Sequence, residues 1–303
     1  MKKKIMAGLL AVCVLMAMSA CGGKDDETVV YDYDYDLSEY ITLGDYIGLE
    51  YTPTEEFTRT DVQTGDTINL DYVGKIDGEE FDNGSTNGQG TEITVGSAGY
   101  IDGFETGLVG MKIGETKDLN LKFPDDYGVA NLAGKDVVFT VTVNDIIVDD
   151  PETTDKAALW EKFTSGCEVK KYPEKELNGM KEQYKRYYQS YADQYGVDLA
   201  TFLEQSGITE EQLDKNAELY AENMVAQDMA LFQLARTENI EVTDEEYEAA
   251  KADMLAQYGC EDDAEFEENY GLSIDDESVA SGIETTALLQ KVLDFIYKSA
   301  KPV

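Results

Sequence analysis

The side chains on which most nucleophilic and metal-dependent enzymes rely are scarce in this chain. Its 303 residues include no histidine and four cysteines, and the cysteines form no cluster that could hold a metal. Catalytic triads of the Ser-His-Asp type and zinc sites built on histidine are therefore excluded. Any chemistry must come from other side chains, and we predict neither a metal nor a cofactor.

Aromatic residues recur through the segment from Tyr72 to Phe139, and Phe81, Phe104 and Tyr127 are among them. Aromatic and apolar residues at alternating positions usually form a core, and we assign to it Phe123, Val141 and Val143. Asp82 directly follows Phe81, and a carboxylate without an evident partner is costly to bury unless it has a role. Asp82 is therefore a candidate for a functional site and not for the core.

The segment that carries these residues has the pattern of a small antiparallel β domain. Apolar and polar residues alternate, as in half-buried strands, at 68–72, 119–123 and 139–143. Asp77-Gly78 separates two apolar stretches and predicts a hairpin turn. Residues 101–109 leave room for one or two helical turns. We expect this β domain to cover residues 65–150.

From Asp155 onward the hydrophobic period becomes that of helices. Thr209 with Gln212, and Thr243 with Glu246, each match a capping box that opens a helix. A last helix is predicted over 277–298. These patterns predict an all-helical second domain over residues 151–303.

The N-terminus predicts export and lipid attachment. Three lysines precede an apolar run from Ile5 to Ala20, which is typical of a secretory signal and too short for a bilayer span of roughly 20 residues. Met18-Ser19-Ala20-Cys21-Gly22 resembles a lipobox, so we expect Cys21 to be acylated and to anchor the mature chain to the outer face of the cytoplasmic membrane. Ordinary cleavage nearby with a free thiol is the alternative.

We therefore assign residues 1–20 to the signal and residues 21–64 to a linking region. Within the linking region, the acidic stretch 22–36 lacks a core pattern and predicts a flexible tether. A short strand is expected at 46–51. In an extracytoplasmic protein Cys167 and Cys260 could form a disulfide, and their spacing, without a motif, leaves this question open.

The charge of the chain argues against nucleic-acid partners. It has 24 basic and 63 acidic residues and a net charge of −39 at pH 7. Such a surface repels phosphate backbones, so DNA and ribosomal RNA are poor candidates as partners.

Three stretches of the β domain carry a family resemblance. They are GDTINLDYVGKIDGEEFDNG from Gly65, VGSAGYIDGFETGLVGMKIGE from Val95 and LKFPDDYGVANLAGKDVVFTVTV from Leu121. In this order they resemble the FKBP family of peptidyl-prolyl cis/trans isomerases, and most closely the form found inside trigger factor. The likeness covers about 80 residues and several separate motifs.

The resemblance implies a site and a role for each residue in it. The implied catalytic residues are Asp82, Ile101, Phe104 and Tyr127, and the implied substrate-binding residues are Tyr72, Phe81, Tyr100, Leu132 and Phe139. Phe104 would be the floor beneath the prolyl ring, where many eukaryotic members have tryptophan and trigger factor also has phenylalanine. The Ile101 backbone N–H and the Tyr127 hydroxyl would bind substrate carbonyls, and Asp82 would sit beside the carbonyl whose C–N bond turns.

The remaining residues would complete the walls of this pocket. The resemblance implies that Tyr72, Phe81 and Phe139 surround the prolyl ring. Tyr100 would lie at the rim beside Ile101, and Leu132 in a loop that overhangs the pocket. The loop between Tyr127 and Val137 is short, which argues against tight binding of macrolide inhibitors.

A pocket of this kind has a physical rationale for prolyl isomerisation. Rotation about a peptide bond faces a barrier of about 18 to 20 kcal/mol because resonance gives the C–N bond double-bond character. A dry aromatic hollow removes water that favours the planar, charge-separated amide, while donors fix the flanking carbonyls. No nucleophile, metal or cofactor is needed.

The helical region from Asp155 to Ala300 resembles, more weakly, the C-terminal domain of trigger factor. Its tyrosines could form an adaptable surface with Met180 and Met224, or pack between helices, and they are Tyr184, Tyr187, Tyr188, Tyr191 and Tyr195. The ribosome-docking domain of trigger factor has no counterpart in the sequence. The expected partners are therefore unfolded secreted polypeptides with X-Pro bonds and the membrane, without a ribosome or nucleic acid.

The sequence thus predicts an α+β multidomain protein, with an FKBP-like antiparallel sheet and short helix followed by an all-α domain. The leading hypothesis is a membrane-tethered isomerase and foldase for exported proteins. A non-catalytic holdase, which uses the helical domain and keeps the β domain as a peptide-binding module, is the alternative. A lipoprotein that captures a solute would require a bilobal α/β pattern, which is absent.

Overall fold

A computed structural model describes residues 33–148 and 150–303, together with the backbone of Lys3–Lys4. Apart from the backbone of Lys3–Lys4, the expected signal lies outside the described residues. The same holds for the expected lipidation site Cys21 and for residues 22–32 of the expected tether. The chain divides into two compact units. The β unit comprises residues 55–151, and the helical unit comprises the described residues of 1–54 together with 152–303.

The regular elements are numbered in chain order within these described residues. The strands are β1 (Lys3–Lys4), β2 (Ile41–Thr42), β3 (Glu50–Tyr51), β4 (Thr67–Ile76), β5 (Glu79–Ser85), β6 (Thr91–Thr94), β7 (Thr116–Lys122), β8 (Asp136–Ile147), β9 (Glu168–Val169) and β10 (Lys301–Pro302). The α-helices are α1 (Phe104–Leu108), α2 (Pro151–Gly166), α3 (Glu174–Gln194), α4 (Leu199–Gln205), α5 (Glu210–Glu238), α6 (Asp244–Gln257), α7 (Asp263–Tyr270) and α8 (Glu277–Ser299). A single 3₁₀ turn covers Leu37–Glu39 in this part of the chain.

The β unit is an antiparallel sheet with the strand order β5-β4-β8-β7, and β6 also pairs with β4. The alternating residues fill its core, since Ile68, Leu70, Val141 and Val143 are fully buried. Asp77 and Gly78 turn the chain between β4 and β5 with φ angles of 55° and 85°, as a type I′ hairpin requires. The predicted β domain with one short helix is thus confirmed.

The helical unit has two hydrophobic cores. The larger core lies among α2, α3, α5 and α8, and the smaller one among α6, α7 and the first half of α8. Both predicted capping boxes are present: Thr209 and Gln212 open α5, and Thr243 and Glu246 open α6. Each box satisfies backbone amides that the first helical turn leaves without partners. The region after Pro151 is helical as predicted, apart from the two-residue strands β9 and β10.

The described residues before the β unit pack into the helical unit instead of forming a tether. Tyr33, Leu37 and Ile41 are at most 1% exposed and belong to the larger core. These residues follow one another at intervals of four, which places them on one side of the segment, while the intervening Asp34 and Asp36 face solvent. The prediction of a flexible tether is therefore wrong from Tyr33 onward, because an apolar face was hidden among the acidic residues.

Short strands and side-chain bonds hold the rest of this segment in place. β2 pairs with β9, and the predicted short strand is reduced to β3, which runs parallel to β10 at the C-terminus. Thr54 donates its backbone N–H to the Asp155 carboxylate over 2.8 Å, and the Tyr46 hydroxyl donates to Glu238 over 2.7 Å. Residues 33–54 are thus a structural part of the helical unit.

Gly44 is the position where this segment approaches the helices most closely, and it offers a test. A Cβ atom at residue 44 would lie 2.7 Å from the carbonyl carbon of Gly166 and 2.8 Å from the backbone oxygen of Phe163. Backbone atoms cannot rotate away, so we expect Gly44→Ala to destabilise the helical unit by about 1–3 kcal/mol. Urea unfolding followed by the fluorescence of Trp160 measures this change.

The matched control is Asp45→Ala, which alters the next, exposed residue. It should leave the unfolding midpoint within error of the wild type. Equal midpoints for Gly44→Ala and Asp45→Ala would show that residues 33–54 do not pack on α2 as described.

The two cysteines of the helical unit are both free and buried. Cys167 belongs to the larger core and Cys260 to the smaller one. Burial raises the pKa of the Cys167 thiol to about 11, against a hydrogen bond from the Gly44 N–H that lowers it. The open question of a disulfide between them is answered in favour of two separate thiols. Among the described residues, no helix combines the length and the apolar character needed to cross a bilayer.

Candidate active site

The β unit brings its aromatic residues together in one ring cluster. The cluster consists of Tyr72, Phe81, Tyr100, Phe104, Phe123, Tyr127 and Phe139. At its centre Tyr72, Phe104 and Phe139 meet pairwise, with ring centroids 5.3 to 5.8 Å apart and planes nearly perpendicular. Edge-to-face contacts of this kind are favourable because the positive ring edge meets the negative ring face.

The remaining rings extend the cluster along the sheet. The ring centroid of Phe81 lies 6.1 Å from that of Phe139 and 5.8 Å from that of Phe123. The ring centroids of Tyr127 and Phe123 are 4.7 Å apart. We had assigned Phe123 to the core, and it is buried there, but it also joins Phe81 to Tyr127. All aromatic residues of the predicted site therefore belong to one continuous surface.

Two polar groups at the cluster are available to a ligand. Ile101 and Tyr127 are each half-buried. Among the described residues, neither the Ile101 backbone N–H nor the Tyr127 hydroxyl has a hydrogen-bond partner. Polar groups beside an apolar ring cluster that lack internal partners can bind the carbonyls of a bound peptide. These are the two groups to which the resemblance assigns that role.

Two glycines make room for the ring of Phe81, and the sequence analysis did not single them out. A Cβ at Gly74 in β4 would lie 2.7 Å from the Phe81 ring and 2.6 Å from the Phe139 ring. A Cβ at Gly84 in β5 would lie 2.8 Å from the opposite side of the Phe81 ring. The pairing of β4 with β5 shifts register between Val73 and Lys75, with the extra residues in β5 between Glu80 and Ser85, so β5 bulges beside the site.

The carboxylate that organises the site is Glu105, which was also not predicted. It is 8% exposed and accepts hydrogen bonds from the backbone N–H groups of Gly96, Ala98 and Gly99, at 2.6 to 3.2 Å, and from the Ser97 hydroxyl at 3.3 Å. Burial alone would raise the pKa of Glu105, but these hydrogen bonds together lower it below its ordinary value. Glu105 thus fixes the loop that leads into Tyr100 and Ile101. The feature of the sequence that could have indicated a role for Glu105 is its position directly after Phe104.

Asp82 does not fulfil the expectation that motivated its selection. Its side chain is exposed, and it makes no hydrogen bond or ion pair with any described residue. The argument from the cost of burying a charge is therefore wrong for this residue, because successive side chains of a strand point to opposite faces and Asp82 faces away from the core that Phe81 contacts. A role for Asp82 stays a prediction from the resemblance.

The other two predicted residues lie close to their expected places, with differences in detail. Leu132 is in the loop between β7 and β8, but its side chain is 8% exposed and packs into the core of the β unit. Tyr100 stacks on Phe104, with ring centroids 4.8 Å apart and an angle of 13° between the planes. Tyr100 is thus in contact with the predicted floor and not only at the rim.

An open, acidic cleft of about 1250 Å³ borders the ring cluster on the side of Phe123. Its floor includes Leu121, Val137 and Val138. Its lining includes the aspartates Asp77, Asp102, Asp118, Asp125 and Asp136 and the lysines Lys75 and Lys122. A peptide held at the cluster and extended along this cleft would therefore meet mainly negative charge.

The helical unit has an aromatic cleft of its own. This cleft, of about 450 Å³, lies between the end of α3 and α4 and is lined by Tyr187, Tyr188, Tyr191, Tyr195, Phe202, Gln205 and Ser206. The Phe202 ring is nearly parallel to those of Tyr191 and Tyr195, at 6.2 and 5.9 Å. Tyr195 is 71% exposed, which is unusual for so large a ring. Of the two alternatives that the sequence left open for these tyrosines, a surface or a helix-to-helix core, the structure shows a surface at this end of α3.

Comparisons with known proteins agree with both units. Residues 58–144 match the model of the FKBP-type peptidyl-prolyl cis-trans isomerase family, and residues 155–298 match that of the bacterial trigger factor C-terminus. Trigger factor of Staphylococcus epidermidis is 28% identical over 93% of this chain and 76% of its own length. Trigger factor of Macrococcus caseolyticus is 28% identical over 86% of this chain and 73% of its own length.

A solved structure described as "Promiscuous Substrate Recognition in Folding and Assembly Activities of the Trigger Factor Chaperone" is also similar. It covers 85% of this chain and 72% of its own chain at 15% identity, with a TM-score of 0.37.

The ring cluster, its sheet and the family match define an FKBP-type domain in the β unit. Residues 155–298 of the helical unit form a trigger factor C-terminal-like domain, and the chain is homologous to trigger factor. This confirms the predicted fold class and the two families seen in the sequence. The homology supports isomerase and chaperone activity as the class of function.

Proposed function

We propose that this protein catalyses cis/trans isomerisation of X-Pro bonds in unfolded polypeptides, using the ring cluster of its β unit as the active site. The observation that carries the proposal is the apolar cluster of seven rings beside two donors without internal partners, Ile101 N–H and Tyr127 hydroxyl. Such a site fits a prolyl ring flanked by backbone carbonyls.

Each part of the site has a task in this reaction. The rings of Tyr72, Phe104 and Phe139 contact the prolyl ring and keep water from the amide, whose planar form water stabilises. The Ile101 and Tyr127 donors hold the carbonyls on either side while the bond between them turns. Hydrogen bonds that are formed best in the twisted state lower the barrier without any covalent step.

A prolyl-tetrapeptide isomerisation assay on the full chain tests the proposal. Uncatalysed exchange takes tens to hundreds of seconds, so catalysis is visible as a faster phase whose rate constant grows with protein concentration. An exchange rate that does not depend on protein concentration would overturn the enzymatic proposal.

We further propose that the protein acts on exported polypeptides, held at the outer face of the cytoplasmic membrane by a lipid on Cys21. The support is the sequence of residues 1–22, with its lysines, apolar run and lipobox-like end. Metabolic labelling with a radioactive fatty acid tests it. The wild type should incorporate label and pellet with membranes, and Cys21→Ser should do neither; a labelled Cys21→Ser chain would contradict the proposal.

The aromatic cleft of the helical unit favours a second activity, the holding of unfolded chains. Exposed rings on a surface attract the apolar side chains that unfolded polypeptides present. With Tyr191 at 38% and Tyr195 at 71% exposure, the rings are available without rearrangement.

We expect the double change Tyr191→Ser with Tyr195→Ser to weaken suppression of aggregation, measured by light scattering of a denatured client protein. The protein concentration needed for half-suppression should rise several-fold, since each ring contributes of the order of 1 kcal/mol to such contacts. Leu219→Ser, at another exposed apolar residue of the helical unit, is the control and should leave suppression unchanged. Equal suppression by the double variant and the wild type would exclude the cleft as a client site.

A further inference from the structure

The ring of Tyr100 covers the floor of the proposed active site. Phe104 is only 1% exposed, although a floor that binds a prolyl ring must present one face to the ligand. Tyr72 and Phe139 meet Phe104 at angles of 86° and 89°, so their rings do not lie parallel to its face. Tyr100 does, at 4.8 Å and 13°. Because Tyr100 is itself 37% exposed, its ring stands between Phe104 and solvent.

The distance of the Tyr100 ring from the floor is that of a bound ring. Stacked rings in proteins have centroids 4.5 to 7 Å apart, and a prolyl ring on Phe104 would occupy the same layer. Two rings cannot share this volume. Either a prolyl ring displaces Tyr100, or the substrate binds on the outer face of Tyr100 and never reaches Phe104.

Further contacts bear on how Tyr100 is held and how it could move. Burial raises the pKa of the Tyr100 phenol, with smaller effects from Tyr72 and Glu105, and a hydrogen bond with Thr91 acts in the opposite direction. Tyr100 follows Gly99, and Gly103 two residues after Ile101 has a φ of +90°, a conformation that glycine adopts without strain. The Glu105 carboxylate fixes the loop before Tyr100, so movement can be confined to the side chain and its nearest backbone.

We propose that Tyr100 is a specificity-determining residue that occupies the prolyl position in the free protein and must swing out before a substrate binds. The proposal rests on the proposed isomerase function and adds a gate to it. A substrate gains contact with Phe104 only by replacing the Tyr100 stack. Displacing Tyr100 lowers the affinity of every substrate by the same factor, so only chains that make further contacts along the site still bind tightly.

The test compares three variants in the isomerase assay on the full chain. Tyr100→Ala removes the internal competitor, so KM for a prolyl tetrapeptide should fall about 2- to 10-fold with kcat nearly unchanged, as expected for loss of one stacking interaction. Tyr100→Phe keeps the stacked ring, so its KM should stay well above that of Tyr100→Ala. Phe57→Ala, an exposed ring of the same unit with similar exposure (39% against 37%), should have no effect.

The other outcomes of this assay separate the gate from the isomerase function. If Tyr100→Ala raises KM while the wild type is active, Tyr100 is a wall or floor for the substrate, and the gate is overturned although the isomerase function stands. If Tyr100→Ala is active where the wild type is nearly inactive, the gate is supported in a stronger form. If no form of the protein catalyses exchange, the proposed function fails and the gate fails with it.

A second measurement follows the Tyr100 ring directly. In the wild type with labelled tyrosine rings, the Tyr100 protons should be shifted upfield by the Phe104 ring and identified by their loss in Tyr100→Phe. Addition of the prolyl tetrapeptide should move them toward the values of an unstacked tyrosine. Peptide binding that leaves these signals unchanged would show that Tyr100 stays on Phe104, and would overturn the proposal.

Discussion

Replacement of Phe104 by alanine is expected to lower kcat/KM for a prolyl peptide by about 100-fold, which corresponds to about 2.7 kcal/mol of lost transition-state stabilisation. The ring is the centre of the cluster, in contact with Tyr72, Tyr100 and Phe139. Its loss removes the apolar surface beneath the prolyl ring and admits water to the amide. Initial rates with the tetrapeptide at several protein concentrations measure the effect.

The buried position of Phe104 requires a control for stability. Loss of a buried phenylalanine costs about 3–5 kcal/mol, so Phe104→Ala could unfold part of the β unit. Leu108→Ala, in the same short helix and also fully buried, costs about 2–5 kcal/mol but leaves the ring cluster intact. Phe104→Leu keeps most of the volume without the aromatic face.

The proposal predicts that Leu108→Ala retains activity while Phe104→Leu, folded by circular dichroism, loses most of it. Full activity in Phe104→Leu would show that the reaction does not depend on this ring.

The largest effect on stability is expected at Asp228, in the middle of α5. This carboxyl is 5% exposed among the apolar residues of the larger core, and burial raises its pKa from 3.8 to about 7. In the unfolded chain it ionises near pH 4, whereas in the folded protein it keeps its proton to about pH 7. The folded state therefore binds the extra proton between these values, and its stability falls as the pH rises from 4 to 7.

Asp228→Asn imitates the protonated side chain and should remove this dependence. The variant should match the wild type near pH 4 and be more stable at pH 8, by up to about 4 kcal/mol, at 1.36 kcal/mol for each pKa unit. Trp160, the single tryptophan, reports on the same core, since its ring N–H donates to Gln227, the neighbour of Asp228, over 3.2 Å. Urea unfolding followed by its fluorescence measures the difference at each pH.

Asp253→Asn, at an exposed carboxyl of α6, is the matched control and should change the unfolding free energy little at either pH. A difference between Asp228→Asn and the wild type that is the same at pH 5 and pH 8 would mean that Asp228 is ionised in the folded protein throughout.

The elements that could be predicted from the sequence are those whose signals are local. Alternation fixed which side chains of β4 and β8 face the core, and the capping boxes at Thr209 and Thr243 marked where α5 and α6 begin. The resemblance placed the rings of one site together, and the structure brings those rings into contact. In each case the physical cause acts over a few residues or is carried by a family of similar chains.

The features that could not be predicted depend on contacts between distant parts of the chain. Periodicity shows that a segment has an apolar face but not which partner covers it, so Tyr33 and Tyr35 are predicted to lie in a tether, whereas they pack into the larger core with α5 and its neighbours. Asp82 was expected at the site because it follows Phe81 and has no evident partner, yet its side chain is exposed, since neighbouring side chains of a strand point to opposite faces.

The sequence by itself determined the fold class, the order of the two units and the aromatic character of the site. These follow from short-range patterns and from composition, which a chain carries before it folds. The tertiary structure alone decided that Cys167 and Cys260 lie in separate cores, that Glu105 holds the loop beside the site and that Tyr100 covers Phe104. Those facts are distances between side chains, and distances are set only when the chain has packed.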